Sequence, residues 1–291
     1  MTEIFNSIST IRGYLDQKKT LGQSVGLVPT MGSLHEGHFS LVKKALEEND
    51  LVVVSIFVNP TQFNKKEDLD NYPRDLRRDV AQLEKLGCHA VFTPEVDEMY
   101  PTKPSISFDA GYLESIMEGK FRPGHFSGVV QVVSKLFNII DPDRAYFGQK
   151  DLQQLVLIQT LVRELNFDVE IVAAPTIREK SGLAMSSRNK RLNDDQLEIA
   201  AGIYKGLILI KSEFQSKNSV ENAMATGISF YEKSTDFELE YLEIVDADTL
   251  LRIKNPNATE NIAICVAGYV GGVRLLDNIC VEMNTANANQ G

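Results

Sequence analysis

Val25-Gly26-Leu27-Val28-Pro29-Thr30-Met31-Gly32-Ser33-Leu34-His35-Glu36-Gly37-His38 runs an apolar segment into a helix start through two histidines. The pattern predicts a short buried strand over 25–28 that leads to a helix N-terminus. Unpaired backbone N–H groups and the positive end of the helix dipole meet at such a point and can hold an anion. Phosphate is the expected guest, because imidazoles near physiological pH donate to its oxygens and follow the charge that builds during transfer. Zinc fits less well. It needs a third ligand and usually His-Glu-x-x-His, whereas this spacing is three and only His89 and His125 remain. Neither a G-x-x-x-x-G-K-[ST] run nor a G-x-G-x-x-G after the first strand is present, which argues against a P-loop and the usual dinucleotide fingerprint.

Working outward, Ile4, Ile8, Ile11 and Leu15 recur at helical spacing and predict a helix over 4–19. On the other side, Phe39, Leu41, Val42, Ala45 and Leu46 line one face of a helix that ends near Asn49. The continuous apolar run Leu51 to Val58 predicts a central strand covered on both faces, so strand, helix and strand make a right-handed βαβ unit. Asn59-Pro60 stops that strand, and 61–74 reads as a polar loop before a helix over 76–86 and a strand over 90–93. Helices over 128–140 and 152–165 alternate with strands over 144–147 and 168–173. The fold class is therefore α/β, a doubly wound parallel, Rossmann-like sheet, whose ligands lie beyond the carboxyl ends of the strands.

After Arg191 the pattern changes. Helices over 194–214 and 219–233 precede strands near 238–246, 262–268 and 279–283, where Glu238, Glu240 and Glu243 interleave with apolar residues as on a sheet with one wet face. This predicts a first domain over 1–178 and a smaller α+β C-terminal domain over 179–291 that acts as a lid, with a hinge near 178–190. The polar tail from Asn284 is expected to fray.

The chain has 291 residues, 43% of them apolar, enough to bury a substantial core. Its net charge of -10 argues against a nucleic-acid partner, which would want a basic face, so the anionic ligand should be small. Cys88, Cys265 and Cys280 are odd in number and set among apolar residues, as expected of buried, reduced thiols in a cytoplasmic protein. Neither an export signal nor an apolar run of membrane-spanning length is evident.

Three further segments are similar in kind to the histidine stretch. Gly148-Gln149-Lys150-Asp151 lies between a strand and a helix, so its backbone can approach a ligand while Lys150 supplies a mobile charge. Met185-Ser186-Ser187-Arg188 offers two hydroxyls and a fixed cation, which suit a leaving pyrophosphate. Asn59, Gln62 and Gln154 supply neutral amides that select hydroxyls and carboxylates without adding charge.

These segments, together with Tyr72-Pro73-Arg74, Arg122-Pro123-Gly124-His125-Phe126 and Tyr146 to Leu155, resemble the pantothenate synthetase (pantoate:beta-alanine ligase) family, in order and over nearly the whole chain. The His-x-Gly-His element alone would mark only the wider nucleotidyltransferase superfamily. The resemblance implies an ATP-dependent ligase that forms a pantoyl adenylate and pyrophosphate, then joins the acyl group to beta-alanine with release of AMP.

It also implies roles. Met31, Gly32, His35 and His38 would contact ATP, with His38 and His35 catalytic beside Lys150 and Arg188. Asp151, Ser186 and Ser187 would add to the ATP site, and backbone near Gly148, Ile177 and Met185 would hold the adenosine. Gln62 and Gln154, with Met31, Asn59 and Tyr72, would take pantoate or beta-alanine. Mg2+ would bridge ATP oxygens, with Asp79 as an outer ligand, and the protein would be a homodimer. Gln149 stands where relatives often carry an acid. The alternatives are an adenylyl- or cytidylyltransferase of the same superfamily, which would have no need of the glutamine pair, and a non-catalytic nucleotide-binding module.

Overall fold

The computed structural model describes residues 2–217, 219–255, 259 and 261–282. The chain divides into two compact units: residues up to Gln149 together with Gln153–Thr176, and Lys150–Leu152 together with the chain from Ile177 onward.

The first unit is built from β1 (Glu3–Phe5), α1 (Ile8–Thr20), β2 (Val25–Thr30), α2 (Glu36–Glu48), β3 (Leu51–Ile56), α3 (Lys66–Asp70), α4 (Leu76–Leu86), β4 (Ala90–Phe92), α5 (Val96–Met99), α6 (Met117–Phe121), α7 (His125–Ile140), β5 (Arg144–Gly148), α8 (Leu152–Leu165) and β6 (Glu170–Ala174). The strands form one sheet in the order β1-β4-β3-β2-β5-β6, and every pair is parallel. The order reverses between β2 and β5, the switch point at which a doubly wound sheet opens a crevice. The expected α/β class is what the chain forms.

Val25, Leu27, Val28 and Val52–Val54 have no exposed surface. Each such side chain stabilises the fold by roughly 1.5–3 kcal/mol relative to exposure, so β2 and β3 are firm supports for the loops that leave them.

Two local expectations are corrected. Residues 3–5 form an edge strand on β4 instead of the first helical turn, because Ser7 caps α1 by accepting from Thr10 N and stops the helix from starting earlier. The polar stretch 61–74 is not all loop: it contains part of a 3₁₀ turn, Pro60–Gln62, and the short helix α3.

The second unit packs α9 (Asp194–Lys217) and α10 (Val220–Glu232) on an antiparallel sheet of β7 (Phe237–Asp246), β8 (Asn261–Val270) and β9 (Val273–Glu282). Its core joins Ile203, Leu207, Ile210 and Phe214 of α9 to Ile262, Ile264 and Val266 of β8. β9 begins well before the strand expected near 279, because Gly271 and Gly272, both at positive φ, make a two-residue turn that pairs Val270 with Val273. The tail from Asn284 lies outside the described residues.

Candidate active site

The segment after β2 is held almost wholly through its backbone. Thr30 Oγ1 donates to Ser55 O and accepts from Gly32 N. Gly32 has φ +79°, and a Cβ there would meet Ile56 and Asp79 at 3.0 and 3.1 Å, so glycine suits both the turn and the space. Asp79, only 2% exposed, accepts from Ser33 N at 2.7 Å and Leu34 N at 2.9 Å, one oxygen to each. Its carboxylate anchors the loop from within. Among the described residues, no group of three or more His, Cys, Asp or Glu side chains could hold a metal ion.

The two histidines cap the helix they precede. His35 is the N-cap of α2, and its Nδ1 accepts from Gly37 N at 3.2 Å. His38 Nδ1 accepts from His35 N at 3.4 Å, and the rings lie 4.1 Å apart. A backbone N–H can only donate, so both Nδ1 atoms are acceptors and each neutral ring carries its proton on Nε2. The capping box thereby fixes two Nε2–H donors at a helix N-terminus, where the dipole already favours negative charge.

Beyond β3, Asn59 caps the 3₁₀ turn Pro60–Gln62. Its Oδ1 accepts from Thr61 and from Tyr100 OH, while its Nδ2 donates to Gln62 Oε1 and Gly128 O, each at 3.0 Å. With both amide hydrogens engaged and 1% exposure, Asn59 braces the turn that carries Gln62. Gln62 Nε2 donates to Met31 Sδ at 3.2 Å, which brings those two expected residues together. Tyr72 is buried edge-on against Phe63. Gln154 is half-buried in the first turns of α8. Its neighbour Gln153 is fully engaged, bonding Glu118 N, Leu113 O and Ile116 O.

In the second unit, Lys150, Ser186 and Arg188 share one small recess open to solvent, with Ala184, Arg274 and Asp277 among its walls. Lys150 lies in the 3₁₀ turn Gln149–Asp151 with its ammonium 3.7 Å from Asp151. Ile177 O accepts from Met185 N and Arg178 bridges to Ala184, so the stretch expected to hold adenosine is a small antiparallel hairpin. Ser186 caps the following turn by accepting from Arg188 N, and Ser187 is buried.

Sequence reasoning missed what braces this recess. The Arg178 guanidinium donates to both oxygens of Asp277, at 2.5 and 3.0 Å, and to Gly182 O and Asn278 O, while stacking 3.9 Å over the Tyr204 ring. Asn278 Nδ2 then donates to Lys150 O at 2.8 Å. Burial pushes the Asp277 carboxyl up, and Arg178 beside it pulls it back. An Asp-Asn pair set between Leu275-Leu276 and Ile279-Cys280-Val281 was the signal.

Comparison with known proteins settles the lineage. The model of the pantoate-beta-alanine ligase family matches residues 3–280. The chain belongs to the pantoate-beta-alanine ligase family. It is 51% identical over 276 residues to the pantothenate synthetase of Cytophaga hutchinsonii, covering 94% of this chain and 98% of that one. The Porphyromonas gingivalis enzyme is 46% identical over 281 residues, covering 96% and 99%. Among solved structures, pantothenate synthetase from Thermus thermophilus superposes with a TM-score of 0.90 at 40% identity, covering 96% and 99%. Pantoate-beta-alanine ligase from Francisella tularensis, complexed with beta-gamma ATP and beta-alanine, gives 0.80 at 38%, covering 96% and 97%. The activity of the chain is accordingly the ligation of pantoate to beta-alanine.

Proposed function

We propose that the ligation runs in two half-reactions. A carboxylate oxygen of pantoate attacks the α-phosphorus of ATP, forming a pantoyl adenylate while the bond to pyrophosphate breaks. The amine of beta-alanine then attacks the acyl carbon, forming the amide while AMP leaves with the carboxylate oxygen and the amine releases its proton. The chemistry asks the protein mainly to align the carboxylate and absorb charge on the leaving group.

The fixed tautomers of the histidine pair carry this reading. Two Nε2–H donors held by the backbone need no rearrangement as charge develops on phosphate oxygens, which is the condition for electrostatic preorganisation. His38 is the proton-donating or charge-stabilising group and His35 its phosphate partner. Lys150 and Arg188 neutralise phosphate charge, with the 186 and 187 hydroxyls and Asp151 beside them. Backbone of the Ile177–Met185 hairpin and of Gly148 holds adenosine. Gln62, which keeps a second Nε2 hydrogen beyond its contact with Met31, grips pantoate together with Gln154, with Met31 and Tyr72 alongside.

ATP as a substrate is supported by the nucleotide complex of the Francisella tularensis relative. Mg2+ would enter on the phosphate oxygens of ATP and neutralise charge there. A cytoplasmic homodimer completes the proposal. Among the described residues, no helix is long and apolar enough to cross a membrane.

Isotope exchange between pyrophosphate and ATP tests the scheme. It should require pantoate and proceed without beta-alanine. Exchange without pantoate would point to a nucleotidyltransferase of another kind, and exchange that waits for beta-alanine would rule out a free-standing first half-reaction.

A further inference from the structure

The first turn of α7 carries a polar chain that the scheme above leaves unused. His125 is 5% exposed, its Nδ1 lies 2.9 Å from the backbone oxygen of Gln62, and its Nε2 lies 2.9 Å from Arg122 Nη1. A guanidinium nitrogen can only donate, so Nε2 accepts, the ring proton sits on Nδ1, and Nδ1–H donates to Gln62 O. Arg122 is in turn paired with the Glu118 carboxylate at 3.6 Å, and both side chains are largely buried. One turn further, Gly128 O accepts from Asn59 Nδ2, and a Cβ on Gly128 would fall 2.4 Å from Thr61 O and 2.6 Å from Gln62 N. Arg122, His125 and Gly128 thus recur every three residues around one helix start. His125 and Gly128 both meet the short turn that carries Gln62.

A buried ion pair with a satisfied histidine is often only a tie between neighbouring helices. Here the histidine bonds the backbone of Gln62, Gly128 O takes the side-chain amide of Asn59, and the helix gives up a side chain at 128 where one would strike the backbone of Thr61 and Gln62. We propose that His125 is a positioning residue for pantoate, seating Gln62 at the height from which its amide reaches the substrate, with Arg122 fixing the imidazole tautomer. The proposal rests on the reading of Gln62 as a pantoate ligand.

The test is steady-state kinetics of five variants with pantoate and ATP varied separately. His125→Ala should raise the pantoate KM about tenfold, the effect of one lost hydrogen bond, while the ATP KM is unchanged and kcat moves less than threefold. His125→Asn places an amide donor near the Nδ1 position and should restore most of the loss. His125→Gln places its amide near Nε2 and should not. Gln62→Ala should raise the pantoate KM by itself, and adding His125→Ala to it should raise it little further.

A drop in kcat alone, or equal rescue by Asn and Gln, would reduce His125 to a structural tie and overturn the proposal. Additive effects of the two alanine substitutions would do the same. A Gln62→Ala enzyme with normal pantoate KM would instead overturn the pantoate reading of Gln62 and the proposal with it. The Asn and Gln pair keeps the test decisive should His125→Ala fail to fold.

Discussion

The loop after β2 and the hairpin at 177–185 both present polar groups, yet they are held by opposite means. The first is pinned through backbone amides by a single buried carboxylate, Asp79, and shows neutral imidazoles and amides. The second is braced by charge: Arg178 and Asp277 form a buried ion pair beside a recess lined by Lys150, Arg188 and Arg274. The difference follows from what each group must do. A neutral donor acts only at hydrogen-bond distance and needs a fixed place, whereas a cation acts over several ångströms and tolerates a flexible stem.

The ion pair gives the first test of this contrast. Asp277→Ala leaves the Arg178 guanidinium without its buried counter-charge and should cost about 3–5 kcal/mol of stability in urea unfolding. A loss below about 1 kcal/mol would show that charge does not hold the second unit.

Asp79 offers the matching test in the first unit. Asp79→Ala removes two hydrogen bonds to a charged acceptor and should cost about 1.5–3 kcal/mol per bond, with faster amide hydrogen exchange at Ser33 and Leu34. Asp79→Asn keeps one acceptor oxygen and should lose about half as much. Unchanged exchange at both amides would remove Asp79 from its anchoring role.

The smallest effect concerns pH. His89 Nδ1 accepts from Val52 N at 3.0 Å, and burial, helped by Lys18, pushes the imidazole below its ordinary value of 6.5. The unfolded chain therefore takes up a proton before the folded one. Stability from the neutral ring is present above pH 6.5 and lost as pH falls toward the lower folded value. Because the ring is part-exposed, the loss should stay below about 1 kcal/mol. His89→Gln should flatten that acid limb in thermal unfolding between about pH 7 and 5, and an unaltered slope would contradict it.

Much of this was legible in the sequence because it follows periodicity. The helices at 76–86 and 152–165 stand where their spacing puts them, and the apolar runs at 25–28 and 51–56 form the centre of the sheet, the second strand stopping two residues short of Val58. Partnership was not legible. Nothing beside Asp79 in the chain points to Ser33 and Leu34, whose amides it accepts, and nothing beside Asn59 points to Gly128, whose carbonyl takes one of its amide hydrogens. Burial of the thiols holds for two of the three: Cys88 and Cys265 are buried and burial pushes the Cys88 thiol up to about 12, but Cys280 is exposed near the end of β9. Its neighbours in the strand could not show which face would be covered.

The contrast between placed neutral donors and cations is tested most directly by single-turnover formation of the adenylate at increasing pantoate, with Lys150→Ala and Gln62→Ala side by side. Loss of one preorganised charge should lower the plateau rate of Lys150→Ala by ~100-fold, about 3 kcal/mol of barrier, with little change in half-saturation. Gln62→Ala should shift half-saturation and leave the plateau within a few-fold. Both variants changing the same parameter, or a normal plateau for Lys150→Ala, would contradict the division of labour.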